Sequence, residues 1–289
     1  YRSNQFKPSP FHIFQILMKK SINHIFFGLF IVILLIPAHG MLIDKDWGNK
    51  CENRALSDQL NFSFTKQFLE DFDLYVKDNI GYRNSLTNVN ASIKFHLFNS
   101  SSHPQHSVIG EDDWIFYTDN SDNILNSYSR KNTVSQEELK AKVKQWETFD
   151  STLSSKSIQF LTAVFPNKST IHEEKIPYNM RALKRDTPSR TDQFVNYLQA
   201  SNSPVQLLDI RDQLLHQKNE VQNYHKFDTH WNEYGAFLAY RELCKAMGIQ
   251  PYELSDFDIH YVEFSSGDLG RMAGLCNNRS IQEMIPSIN

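Results

Sequence analysis

The sequence predicts an α/β fold, a parallel sheet flanked by helices, behind a helical N-terminal portion and a membrane segment. Three observations predict it. A basic, then strongly apolar stretch opens the chain and ends by Ile43. Amphipathic helical patterning runs from about Asp46 to Ser102. Beyond that, helical stretches alternate with short continuous apolar runs, the pattern of helices covering a parallel sheet. The expected division is residues 1–45 as leader, 46–105 as helical N-terminal portion and 106–289 as α/β domain, incomplete at its C-terminus.

In the leader, Met18-Lys19-Lys20 reads as the biological start, because the chain opens on Tyr1 rather than Met. The lysines form a positive n-region before the apolar segment of residues 25–43. Such a length approaches the ~20 residues a bilayer crossing needs. Ala38-His39-Gly40 offers small residues for a signal peptidase, so two readings stand: an uncleaved signal anchor, or a signal peptide ending at Gly40. Either exports the remainder of the chain, since positive charge stays inside.

In the helical portion, Ser63 or Thr65 caps the first helix and Gly81 lies at or just past its end. "SVIGEDDWIFYT" places two apolar runs around a Gly-Glu-Asp-Asp turn, a β-hairpin. Ser135 with Glu138 is a capping-box pattern opening the next helix. "SIQFLTAVFP" and "PVQLLDI" read as strands buried on both faces, separated by a helix over residues 187–200. Residues 211–218 are helical again, and a last helix runs from about Glu233 to Met247, with Asn232 as its N-cap and Gly248 ending it.

Composition narrows the function. A net charge of -3 and a pI near 6.4 exclude a general nucleic-acid binder. The 21 Phe and 12 Tyr suit an aromatic core or a groove for sugars. Cys51, Cys244 and Cys276 all lie beyond the leader without CxxC spacing, and a Cys244–Cys276 bridge is open to test.

The chemistry concentrates in "NYHKFDTHWNEYGAFLAY", where His225, Asp228, His230 and Trp231 fall within seven residues. Asp228 and His230 are two apart, so in an extended stretch they point to one side. A carboxylate on one ring nitrogen fixes the tautomer and leaves the other nitrogen as a base. The residues alone leave three readings open: a catalytic pair, a structural pair at a strand-to-helix corner, and a metal site from His225, Asp228 and His230.

Six segments in order resemble the SGNH-hydrolase-like alginate O-acetyltransferases, the AlgJ/AlgX-like group. They are Glu52-Asn53-Arg54; Asp78 to Arg83 ("DNIGYR"); "VIGEDDWIFY", with Asp113 where Gly is usual; "AVFPNKSTIHEEKIP", with His172 where Tyr is common; "DTHWNEYGAFLAY"; and "SSGDLGRMAGL". The resemblance implies an SGNH-hydrolase-like sheet and a Ser-His-Asp acyl transfer, with His230 as general base and Asp228 as its orienting carboxylate. It offers Lys168 and Trp231 as contacts to an acidic sugar, and needs no cofactor and no metal. The implied substrate is an exopolysaccharide of uronic-acid type, and the implied partner is an integral-membrane acyltransferase that donates acetyl. The implied location is the periplasm, with the N-terminal segment anchored in the inner membrane.

The family's nucleophilic Ser belongs downstream of the Asp/His pair, on a strand-to-helix turn, and no such block is found. Gly267-Asp268-Leu269 begins like an esterase Ser block but carries Leu at the third place. Ser265, Ser266, Ser280 and Ser287 do not sit in the required pattern. The expectation is therefore a chain truncated before its Ser. The alternative is a non-catalytic carbohydrate-binding or scaffold component of a polysaccharide export complex.

Overall fold

The computed structural model describes residues 10–43, 56–57, 65–119, 124–265, 267–276 and 281–288, with side chains from residue 18 onward. The helices are α1 (Pro10–Ile43), α2 (Lys66–Asn79), α3 (Arg83–Phe98), α4 (Ile124–Tyr128), α5 (Gln136–Ser154), α6 (Lys168–Ile171), α7 (Tyr178–Arg181), α8 (Arg190–Ala200), α9 (Arg211–Gln217), α10 (Glu233–Ala246) and α11 (Asp268–Met272). The strands are β1 (Ser107–Ile109), β2 (Ile115–Tyr117), β3 (Leu161–Val164), β4 (Gln206–Asp209), β5 (Ile259–Ser265) and β6 (Gln282–Ile288). Two compact units divide at Thr87, inside α3. Glu52-Asn53-Arg54 and Cys51 lie outside the described residues.

In the first unit, Met18–Ile43 of α1 is long and apolar enough to cross a membrane, with a mean hydropathy of 2.4. Its 26 residues rise about 39 Å at ~1.5 Å each, against a hydrocarbon core of ~30 Å. Thr65 caps α2, its Oγ1 accepting from the Phe68 amide at 3.3 Å, and Ser63 lies outside the described residues. The "DNIGYR" segment is a packing device. A Cβ on Gly81 would stand 2.2 Å from the Pro37 carbonyl oxygen, and one on Gly40 would stand 2.9 Å from the Gly81 Cα. Two glycines are needed because two backbones touch there. Buried Asp78 accepts from the Ser57 amide at 2.9 Å, and the Tyr82 hydroxyl meets His39 Nδ1 at 2.8 Å.

In the second unit, β1 and β2 form the expected hairpin. Its alternate residues serve two cores. Trp114 and Phe116 pack with Ile171, Ile210, Leu214 and Tyr224, while Ile109 and Ile115 pack with Phe95, Phe227 and Leu269. At the turn, Asp112 (φ 53°) and Asp113 (φ 66°) are left-handed, so Asp113 stands where a glycine would be free of strain. Gly110 is fixed differently: a Cβ there would meet the Lys175 carbonyl oxygen at 2.0 Å.

Ser135 and Glu138 close a reciprocal capping box on α5, worth roughly 1 kcal/mol. Ser189 and Asp192 do the same on α8. β3 and β4 pair in parallel as predicted, with Leu161 opposite Gln206 and Val164 opposite Asp209. They are not buried on both faces: every β3 residue is half-buried and Gln206 is exposed. The parallel layer is only two strands wide among the described residues, too narrow to be covered on all sides. The sequence pattern marked no strand beyond α10, yet β5 and β6 form an antiparallel pair. β5 exposes Ile259, Tyr261, Glu263 and Ser265, and β6 contains Pro286, so neither shows clean apolar alternation. Cys244 is free and Cys276 is disulfide-bonded, so the bridge between these two does not form.

Candidate active site

The loop between α9 and α10 carries the cluster. It is closed by an isolated bridge between Tyr224 and Trp231, with the His225 amide donating to the His230 carbonyl at 3.2 Å. It lies just past the C-terminal end of β3, where parallel sheets place ligands. The Tyr224 hydroxyl donates to the Pro166 carbonyl at 2.5 Å, and Trp231 meets Phe165 edge-on at 5.4 Å. At the loop's exit, Asn232 caps α10 by accepting from the Gly235 amide at 3.0 Å.

The loop is bent, not extended, and Asp228 meets His230 by a different route from the one the spacing suggested. Asp228 Oδ1 accepts from the His230 amide at 3.0 Å, an Asx turn, and meets His230 Nδ1 at 2.6 Å. The Asp228 side chain is 16% exposed and that of His230 77%. Burial pushes the Asp228 carboxyl up, but hydrogen bonds from the Asp268 and His230 amides and from the His230 ring outweigh it. The carboxyl is held below its ordinary range, so Asp228 is an anion at neutral pH. Nδ1 therefore carries the proton it donates to Asp228, and Nε2 can accept one.

Gly267 and Asp268, which sequence reasoning did not assign to the site, support this pair. A Cβ on Gly267 would stand 2.5 Å from the Asp228 Cβ, so only glycine fits there. The Asp268 amide donates to Asp228 Oδ2 at 3.0 Å. The Asp268 carboxylate accepts from the Thr229 amide at 2.7 Å and the Thr229 hydroxyl at 2.5 Å. The signal was present in the "GDL" spelling, but it marks a brace and not a nucleophile.

Lys168 is buried, and its Nζ donates to the carbonyls of His225 (3.1 Å), Lys226 (3.1 Å) and Asp228 (2.8 Å). An ammonium has three N–H groups, so none is left for a sugar. This burial departs from the sugar contact offered for Lys168. Trp231 is half-buried against the core that holds Tyr224 and Leu238. His225 stacks on Phe264 at 4.1 Å and meets Glu283 Oε1 at 3.2 Å. It does not join Asp228 and His230 as a ligand set. Asp228, His230 and Asp268 do approach one another closely enough to hold a metal. Each of their carboxylate oxygens, however, already accepts from a local donor. That saturation suits a hydrogen-bonded brace better than a cation site.

Ser266 and Ser280 lie outside the described residues, and Ser265 and Ser287 sit on β5 and β6. Among the described residues, the hydroxyl that meets His230 is Thr229 Oγ1, on the Nδ1 side at 3.2 Å. Beside the loop, Phe116, Tyr117, Asn167, Ser169 and Thr229 line a cleft of about 260 Å³. A second cleft of about 310 Å³ shares Ile124, Asn167 and Ser169 with it and carries Arg130, Arg190 and Arg211.

A family model described as "SGNH hydrolase-like domain, acetyltransferase AlgX" matches residues 108–284, well over half of the chain. The chain belongs to this family. Its α/β fold is accordingly of the SGNH hydrolase-like type, and the dyad loop lies within the matched residues. Among solved structures, it is similar to AlgX of Pseudomonas aeruginosa, with 18% identity and a TM-score of 0.44 over 70% of this chain and 47% of that one. It is similar to the O-acetyltransferase domain of Pseudomonas putida AlgJ, with 16% identity and a TM-score of 0.41 over 64% of each chain. It is also similar to Bacillus cereus PatB1, with 17% identity and a TM-score of 0.44 over 64% of this chain and 59% of that one. The chain thus spans about half to under two thirds of the length of these structures. Among curated proteins, none matches the chain.

Proposed function

We propose that this protein serves the O-acetylation of an exopolysaccharide outside the cytoplasm, with His230 as general base. The observation that carries the reading is the 2.6 Å contact from Asp228 Oδ1 to His230 Nδ1 in a chain of the AlgX acetyltransferase family. Asp228 holds the imidazole by Nδ1, so Nε2 takes the proton of a serine hydroxyl as it attacks an acetyl ester and returns that proton to the donor's departing alcohol. That serine comes from outside the described residues. The acetyl-enzyme then passes its acetyl group to a sugar hydroxyl, which the freed Nε2 deprotonates, and the same nitrogen returns the proton to the departing serine oxygen. The Arg130 and Arg190 side of the neighbouring cleft suits the carboxylates of a uronic-acid polymer. An integral-membrane acyltransferase supplies the acetyl group. The apolar α1, with Lys19 and Lys20 on its inner flank, anchors the protein in the inner membrane facing the periplasm.

The test is acetyl transfer from an activated acetyl ester to a uronic-acid oligosaccharide by a protein that carries the serine. His230→Ala should abolish transfer while leaving the fold intact; full activity in that variant removes His230 as base.

One observation favours a second reading, a non-catalytic carbohydrate-binding component. Among the described residues, no serine hydroxyl partners His230 Nε2. Binding of the oligosaccharide without transfer by the serine-bearing protein would establish that reading instead.

A further inference from the structure

The loop's backbone is held in an unusual way. The carbonyls of four consecutive residues, 225 to 228, all accept hydrogen bonds. Those of His225, Lys226 and Asp228 accept from Lys168 Nζ, Lys226 also from the Ile115 amide at 3.0 Å, and Phe227 from the Gly270 amide at 2.9 Å. From the opposite side Glu283, buried on β6, accepts from the Lys226 amide at 2.9 and 3.0 Å and from Gln222 Nε2 at 2.6 Å. The peptide group joining His225 to Lys226 thus turns its carbonyl to a buried ammonium and its N–H to a buried carboxylate. Its dipole lies along the field of both charges, so each charge is solvated by the loop it fixes.

We propose that Lys168 is a positioning residue for His230, fixing the loop through the carbonyls of residues 225, 226 and 228 so that Asp228 holds the imidazole by Nδ1. The Asx turn aligns the ring to Asp228, but nothing in that turn fixes Asp228 itself against Gly267 and the Asp268 amide. Lys168 does so, by gripping the carbonyl of the same residue at 2.8 Å. Its ammonium also stands 5.2 Å from the Phe116 ring and 5.6 Å from the Trp114 ring, which ties the loop's register to the β1–β2 hairpin. Burial pulls the Lys168 ammonium down to about 7, against the attraction of Glu283, Asp268 and Asp228. The grip is therefore made of hydrogen bonds aimed at carbonyls, and not of a solvated surface charge.

This inference rests on His230 as the base, but its test needs no turnover. Long-range 1H–15N spectra of the 289-residue chain report which ring nitrogen of the neutral His230 carries the proton. The wild-type protein should show Nδ1 protonated. Lys168→Met, which keeps the stem and removes the donors, should shift the ring to the Nε2–H form that an unheld histidine side chain prefers in water. Lys168→Gln, with two donors and no charge, should show a mixture and carries the same test if the Met variant fails to fold. A folded variant whose His230 keeps the wild-type tautomer overturns the proposal. Loss of fold in both variants assigns Lys168 to folding alone and overturns it equally. Failure of acetyl transfer with an intact tautomer response would remove the enzymatic reading and leave the positioning role standing.

Discussion

Lys168 and Glu283 meet the two ends of one peptide group, the carbonyl of His225 and the amide of Lys226. They come from α6 and β6, far apart in the chain, and neither touches the His230 ring. What they share is the backbone beneath it.

The 13Cε resonance of Lys168 should inflect near pH 7, whereas solvated lysines inflect near ~10.4. An unfolded chain keeps the proton up to that higher value, so between the two the unfolded state binds more protons. The contribution of Lys168 to stability should therefore rise with pH across that window. Glu283→Gln should move the inflection further down, because the Glu283 carboxylate attracts the ammonium more strongly than Asp268 or Asp228 does. It should also cost about 1–3 kcal/mol in urea unfolding by weakening the acceptor for three shielded donors.

Gly267→Ala tests the brace. A Cβ 2.5 Å from the Asp228 Cβ must displace one backbone or the other. We expect a loss of about 1–3 kcal/mol, with the His230 ring signals moved from their wild-type positions. An alanine variant of wild-type stability and unchanged ring signals would show that the approach is not tight.

His172 supplies an acid-sensitive point. Burial holds its imidazole down to about 4, despite a 2.9 Å hydrogen bond to Asn223 Oδ1 and the nearby Glu174 carboxylate. The unfolded chain binds a proton below ~6.5 that the folded chain refuses until about 4. Stability due to His172 is thus complete above that upper value and lost as pH falls toward the lower one, by ~3 kcal/mol at most. Unfolding free energies at about pH 4.5 and pH 7 should differ less in His172→Phe than in the wild type.

Asp113→Gly should stabilise the hairpin. Asp113 sits at φ 66°, where a side chain costs about 1–2 kcal/mol and glycine adds back about 0.5–1 of unfolded-state entropy. The net gain should be near ~0.5 kcal/mol by thermal or urea unfolding, and a destabilised variant would place the strain elsewhere.

Local features were legible in the sequence and long-range ones were not. The Ser135–Glu138 box, the Asn232 cap and the β1–β2 hairpin are written within a few residues of themselves, and each formed where its spelling placed it. The Asp228–His230 contact is local too, though a bend and not a strand makes it. Glu283 was invisible because a buried carboxylate on a strand interrupted by Pro286 breaks the apolar pattern that marks strands. Lys168 read as a contact to an acidic sugar, since its burial depends on residues about sixty positions away. Asp268 was read as part of a resembling segment and of a near-miss to an esterase Ser block, not as a support of Asp228.

The contact of Gly40 with Gly81 bears on mechanics. A linker between an apolar helix and the residues after it would absorb strain by uncoiling. Here the last turn of α1 presses, backbone against backbone, on the bend between α2 and α3. Slack is missing at that point. A pull or twist on α2 would reach α1 as torque about a two-glycine pivot, so the apolar helix is geared to its neighbour and is not merely its leash.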